Sequence, residues 1–224
     1  MAVVLTTTSP FDGIFAQYAG AIPQAFLRAL AYRESSLRPD QVHPRSKATG
    51  LFQITTPALK GYNAATHSKL TLANLTDPET NTRVAVAHLT SVINTYRRYR
   101  SLAPDWTSRR WVELLTLGWN AGHNAIATLA AQLEKGGIPD ERITIDTVSQ
   151  LARASGKGKF VADPARVAWS RSVANLFLGG GAVPAGGAPL TASIIPGAGG
   201  GPMTLIIALL TAGAVLAFGR RAET

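Results

Sequence analysis

Apolar residues recur at intervals of three and four through most of the first 178 positions of this 224-residue chain. That spacing predicts helices over 24–35, 80–100, 109–119, 123–135, 146–154 and 164–178. Strand patterning is thin, and only Ile143-Thr144-Ile145 alternates. The architecture expected is therefore mainly α. In the first helix Leu27, Leu30 and Glu34 fall at i, i+3 and i+7, so a carboxylate continues the stripe that should face the interior. Desolvation pushes the pKa of such a carboxyl upward, and an acid that stays protonated near neutral pH is equipped to donate a proton. Downstream, Pro39 and Pro44 stop any helix, and Gly50-Leu51-Phe52-Gln53-Ile54 sets one glycine and one amide in an apolar run. Glu34 and Gln53 are placed to line one cleft.

The pattern changes after Leu178. Residues 179–202 are nearly all Gly, Ala and Pro without charge, so they cannot fill a core and read as a linker. Residues 203–219 are apolar and uncharged, with Arg220 and Arg221 behind them. The stretch 203–218 within them, as a helix, spans ~24 Å at ~1.5 Å per residue, a little short of a ~30 Å hydrocarbon core. A transmembrane helix with a cytoplasmic Arg pair is the expectation, and a helix docked on a partner protein is the other reading. The organisation expected is a domain over 1–178, a linker over 179–202 and a hydrophobic helix over 203–219.

Charge alters this picture moderately. The formal net charge is +9, of which the domain alone carries +8. A basic surface suits capture of anionic polymers. The densest run, Arg97-Arg98-Tyr99-Arg100, reads as a solvated helix end, so nucleic acid is not an expected partner. Zero cysteines exclude disulfides and thiolate zinc sites. His43, His67, His88 and His123 lack metal-ligand spacing, no nucleophile elbow is present, and Gly156-Lys157-Gly158-Lys159 is not a complete phosphate loop. Neither a metal nor a cofactor is indicated.

Four motifs then occur in a fixed order: Glu34-Ser35; Gly50-Leu51-Phe52-Gln53 preceded by Ser46-Lys47-Ala48-Thr49; Asp77-Pro78-Glu79-Thr80-Asn81 leading into Val84, Val86, Ala87 and Leu89; and Trp119-Asn120-Ala121-Gly122. In this the chain resembles the lytic transglycosylases of the soluble-lytic-transglycosylase and goose-type lysozyme group. Two departures stand out. Trp119 replaces the family's usual Tyr before Asn-Ala-Gly, and in Pro164-Ala165-Arg166-Val167-Ala168-Trp169 a second Trp stands where members carry a Tyr near the acid.

The resemblance implies a lysozyme-like domain that cleaves peptidoglycan with Glu34 as the catalytic residue. Ser35, Ser46, Gly50, Phe52, Gln53, Trp119, Asn120 and Trp169 are then the expected substrate-binding residues. Gln53 and Asn120 offer donor and acceptor to an N-acetyl group, and Phe52 and Trp119 are either sugar platforms or packing residues. A second carboxylate is missing between Glu34 and Gly50 apart from Asp40, which reads as a turn residue. That agrees with a substrate-assisted route to a 1,6-anhydro product, with goose-type hydrolysis and a non-catalytic glycan-binding role as alternatives. The amino terminus lacks a charged, long apolar leader. This points to a virion protein of a bacteriophage, acting at the cell envelope during genome entry, with peptidoglycan strands, the bilayer and other virion proteins as partners.

Overall fold

The computed structural model describes residues 8–179, and the linker and hydrophobic-helix expectations beyond residue 179 lie outside them. Among the described residues no helix is long and apolar enough to cross a membrane. Eight α-helices follow one another: α1 Asp12–Tyr18, α2 Gln24–Ser35, α3 Thr56–Thr66, α4 Pro78–Tyr96, α5 Arg109–Ala121, α6 His123–Lys135, α7 Ile145–Ser155 and α8 Pro164–Leu178. No strand occurs among the described residues. The pairs Val42 with Thr49 and Thr49 with Ile54 form only isolated antiparallel bridges.

The helix ends are written in the local sequence. Asp77 accepts from the Thr80 amide at 2.9 Å and Pro78 opens α4; Ser108 caps α5; Asp163 caps α8 ahead of Pro164. At the end of α2 the chain turns through Ser36 in the left-handed region. Expected boundaries coincide with α2, α6 and α8. The helix expected over 80–100 instead stops at Tyr96, whose buried hydroxyl donates to the Leu114 carbonyl at 3.0 Å and draws the chain inward. The strand expected at Ile143-Thr144-Ile145 is instead the entry to α7. There Thr144 and Thr147 form a reciprocal cap, and both isoleucines are buried as helix-entry residues.

Helix α5 is the centre of the domain. Every residue from Trp111 to Gly118 is buried, and α4, α6, α7 and α8 pack around it. Burial on all sides makes it a rigid mount for what lies at its carboxyl end, Trp119 and Asn120. Helix α2 packs against α1 and α8, so Glu34 on its last turn approaches the same end of the domain.

Candidate active site

The loop between α2 and α3 forms the wall opposite Glu34, and one residue of α4 holds it. Asn81 is fully buried. Its Oδ1 accepts from the Phe52 amide at 2.9 Å, and its Nδ2 donates to the carbonyls of Thr49 and Leu75, each at 2.9 Å. Gly50 lies against this clamp with φ 83°, and a Cβ there would come within 2.1 Å of Asn81 Nδ2 and 2.2 Å of the Leu75 oxygen. Only glycine fits.

A cleft of about 470 Å³ opens between this loop and the helix ends. Of the expected residues, Glu34, Ser46, Gln53, Trp119 and Asn120 line it. Ser35, Gly50 and Phe52 do not. Ser35 Oγ is buried and donates to the Leu51 carbonyl at 2.8 Å, tying α2 to the loop. Phe52 is a core residue whose ring packs edge-on to Phe15 at 5.7 Å. Trp169 is also absent from the lining. It packs half-buried against the core, while Arg166 one turn earlier takes the cleft position on α8. Trp106, which precedes α5, and Trp111 within it are packing residues, in one aromatic cluster with Phe26 and Phe177.

Glu34 keeps some exposed surface, yet its carboxyl is surrounded by protein. Burial pushes its pKa up to about 7, against the opposing pulls of the Trp119 indole and of Arg33. Trp119 Nε1 donates to Glu34 Oε1 at 2.7 Å. Arg33 is directed elsewhere, its Nε donating to Ser172 Oγ at 2.6 Å. Glu34 is the only carboxylate among the described residues that line the cleft.

Behind Trp119 stands His88, with ring centroids 5.1 Å apart, and behind that His123. Burial, then the neighbouring His123, pulls His88 down to about 4, so at neutral pH it is an uncharged packing partner for the indole. Across the cleft His43 Nδ1 accepts from the amides of Arg45 and Ser46, which places its ring proton on Nε2 as a donor. Gln53, at φ 46°, spends its amide nitrogen on the carbonyls of Gln41 and Gly50. Its Oε1 remains as an acceptor. Asn120 is the converse: Oδ1 accepts from Arg166, leaving the Nδ2 donors. His43, His88 and Arg166 were not among the residues expected from sequence, because nothing in their local pattern separates them from ordinary helix or loop positions. Among the described residues no group of three metal-ligating side chains occurs.

A helical domain with one carboxyl protonated near neutrality, set in an open cleft lined by amides and an indole, belongs to the lysozyme-like class. The chain belongs to the transglycosylase SLT domain family, whose model matches residues 14–138. Over 135 residues it is 27% identical to the membrane-bound lytic murein transglycosylase F of Alteromonas mediterranea, a match that covers 60% of this chain and 26% of that protein. Its fold is similar to that of the 70 kDa soluble lytic transglycosylase of Escherichia coli, with a TM-score of 0.50 at 20% identity over 75% of this chain and 24% of that one. The chain thus spans about a quarter of the length of each relative.

Proposed function

We propose that this chain is a lytic transglycosylase that cleaves the MurNAc-β-1,4-GlcNAc bond of peptidoglycan and leaves a 1,6-anhydro-MurNAc end. One observation carries the reading: Glu34 lines the cleft without a second carboxylate among the described lining residues, and burial holds its pKa at about 7. A glycosidase that works by two carboxylates needs both across the scissile bond. A single acid fits a reaction in which the substrate supplies its own nucleophiles. Protonated Glu34 gives its proton to the glycosidic oxygen as the bond to C1 breaks, and the N-acetyl oxygen of the same sugar bonds to C1. The resulting Glu34 carboxylate then takes the proton of the 6-hydroxyl while that oxygen displaces the acetamido oxygen from C1. No water is consumed and Glu34 ends protonated. Proximity favours the internal hydroxyl.

The lining supports this assignment of roles. Donors from Asn120 Nδ2 and His43 Nε2 and the acceptor Gln53 Oε1 match the acetamido and hydroxyl groups of a hexosamine, and Ser46 adds a hydroxyl. The roles proposed for Ser35, Gly50, Phe52 and Trp169 change accordingly: they shape the walls and the core, and Trp119 supplies the hydrogen bond to the acid.

Digestion of purified peptidoglycan followed by mass spectrometry tests the reading. Anhydro ends, lighter than hydrated ends by one water, are expected. Hydrated products would assign a muramidase, and no products at all would leave a glycan-binding component. Tethering to a bilayer through residues 203–219 and carriage in a virion extend the proposal beyond the described residues. They rest on sequence pattern alone and are tested by flotation of the full chain with liposomes and by its presence in purified particles.

A further inference from the structure

Among the described lining residues the cleft holds one arginine or lysine, Arg166. It stands on α8, beyond the segment 14–138 that carries the family match, and the chemistry assigned to Glu34 makes no use of it. Its position is over-determined. Nη1 donates to both the carbonyl oxygen and Oδ1 of Asn120, and the guanidinium carbon lies 4.7 Å from the centre of the Phe160 ring. Nε is 3.6 Å from Asp163 Oδ2, longer than a charge-assisted hydrogen bond. Asp163 also accepts from the Ala165 amide as the cap of α8, so it offsets the charge only in part. Nη2 has no hydrogen-bond partner among the described residues, and the side chain is 30% exposed.

A guanidinium held in this way has already given up its rotamer freedom, so an anion that reaches Nη2 meets a preformed site. The remaining lining gives that anion no strong competitor, since Glu34 is largely protonated below about pH 7 and His88 is uncharged above about pH 4. In the glycan proposed above, charge sits on alternate sugars only. GlcNAc is neutral. MurNAc carries a lactyl ether whose carboxylate is either free or amidated to a peptide that has carboxylates of its own. A single fixed cation therefore distinguishes the two registers in which an alternating strand can lie across Glu34.

We propose that Arg166 is a specificity-determining residue that binds a carboxylate carried by the muramyl unit and so sets which of the two glycosidic bonds faces Glu34. This rests on the peptidoglycan reading. It is tested by calorimetric binding to the Glu34→Gln protein, which cannot turn its ligand over, of three probes of equal length: chitotetraose, a GlcNAc-MurNAc tetrasaccharide with free lactyl groups, and the same tetrasaccharide bearing peptides. The readout is the ratio of affinities for a carboxylated and the neutral probe, which cancels any damage common to both. A preference of about tenfold at low salt, shrinking as salt is added, is expected. Arg166→Gln should remove it and Arg166→Lys, which keeps the charge without the fork, should keep part of it. Loss confined to the free-lactyl probe assigns the lactyl carboxylate, and loss confined to the peptide-bearing probe assigns the peptide. An unchanged ratio in Arg166→Gln, or a preference in the parent that ignores salt, overturns the proposal. A parent that binds no glycan overturns it together with the functional reading. If the Glu34→Gln protein shows the preference but the chain with Glu34 intact releases no anhydro ends from the wall, the functional reading alone is overturned.

Discussion

The indole nitrogen of Trp119 and the carboxyl of Glu34, 85 residues apart in sequence, share a 2.7 Å hydrogen bond at the floor of the cleft. The bond joins the end of the most buried helix to the last turn of α2. It fixes the direction of the acid, and it favours the ionised form, partly countering the burial that raises the pKa.

Replacing Trp119 by Phe keeps an aromatic plane against His88 but removes the donor. We expect kcat/KM to fall about tenfold, the scale of one hydrogen bond to a charged group, and the alkaline limb of the pH profile to move to higher pH. A profile unchanged in position would show that the bond does not act on the reacting carboxyl.

Glu34→Gln keeps the shape and loses the transferable proton. Wall lysis should drop at least about a thousandfold, within the range spanned by general acid catalysis, while circular dichroism stays that of the parent. Turbidity loss of a cell-wall suspension measures the first, and residual activity within tenfold of the parent would move the catalytic role elsewhere.

The same substitution has a signed effect on stability. Glu34 is raised from its ordinary 4.5 to about 7 in the folded protein, so its stabilising contribution is complete below 4.5 and is lost as pH rises through 7. Gln cannot ionise and escapes that loss. At pH 8 the variant should be the more stable by about 1–2 kcal/mol, less than the full shift implies because the residue keeps some exposure, and at pH 4 the two should melt together. Melting curves at the two pH values decide it.

Activity of the parent should fall as pH rises through about 7, because in the proposed reaction the step that breaks the glycosidic bond needs protonated Glu34. Product release measured from pH 5 to 9 checks this. A flat profile to pH 9 would mean that another group donates the proton.

Asn81→Ala should destabilise the domain by about 2–4 kcal/mol, since it strands the Phe52 amide and two carbonyls in the interior. Denaturant unfolding reads the cost. Asn81→Asp should be at least as damaging, because it sets a carboxylate against the oxygens of Thr49 and Leu75.

Much of this was legible in order of residues. Glu34, Gln53, Trp119 and Asn120 sit in motifs, and the helices with marked ends, such as α8 behind Asp163-Pro164, follow their apolar spacing closely. The missed helices had little to show: α3 buries only Leu59 and α1 only Phe15 as helix residues. Ile143-Thr144-Ile145 alternates because two isoleucines flank a capping threonine, a local device that mimics a strand. The site was harder where a residue enters from a distant helix. Neither Arg166 nor His88 differs in pattern from its neighbours, and only the packing of α4, α5 and α8 brings them to Glu34. The opposite error attaches to Phe52 and Gly50, whose place in a motif reflects the clamp to Asn81 and not contact with the cleft.

Four non-glycine residues between 36 and 53 hold a left-handed backbone: Ser36, Leu37, Lys47 and Gln53. Each such conformation costs of order 1 kcal/mol in an L-residue, so the wall facing Glu34 is the part of the domain where sequence and backbone agree least. Laboratory evolution for heat resistance would find its first gains there, glycine or asparagine at 36 and 47, before touching the core around α5. The same relief would widen the range of shapes the wall can sample. Thermal tolerance and the rate of glycan cleavage should therefore trade against each other along this one loop, and a homologue from a hotter habitat should show its compensation in the loop's turns before its helices.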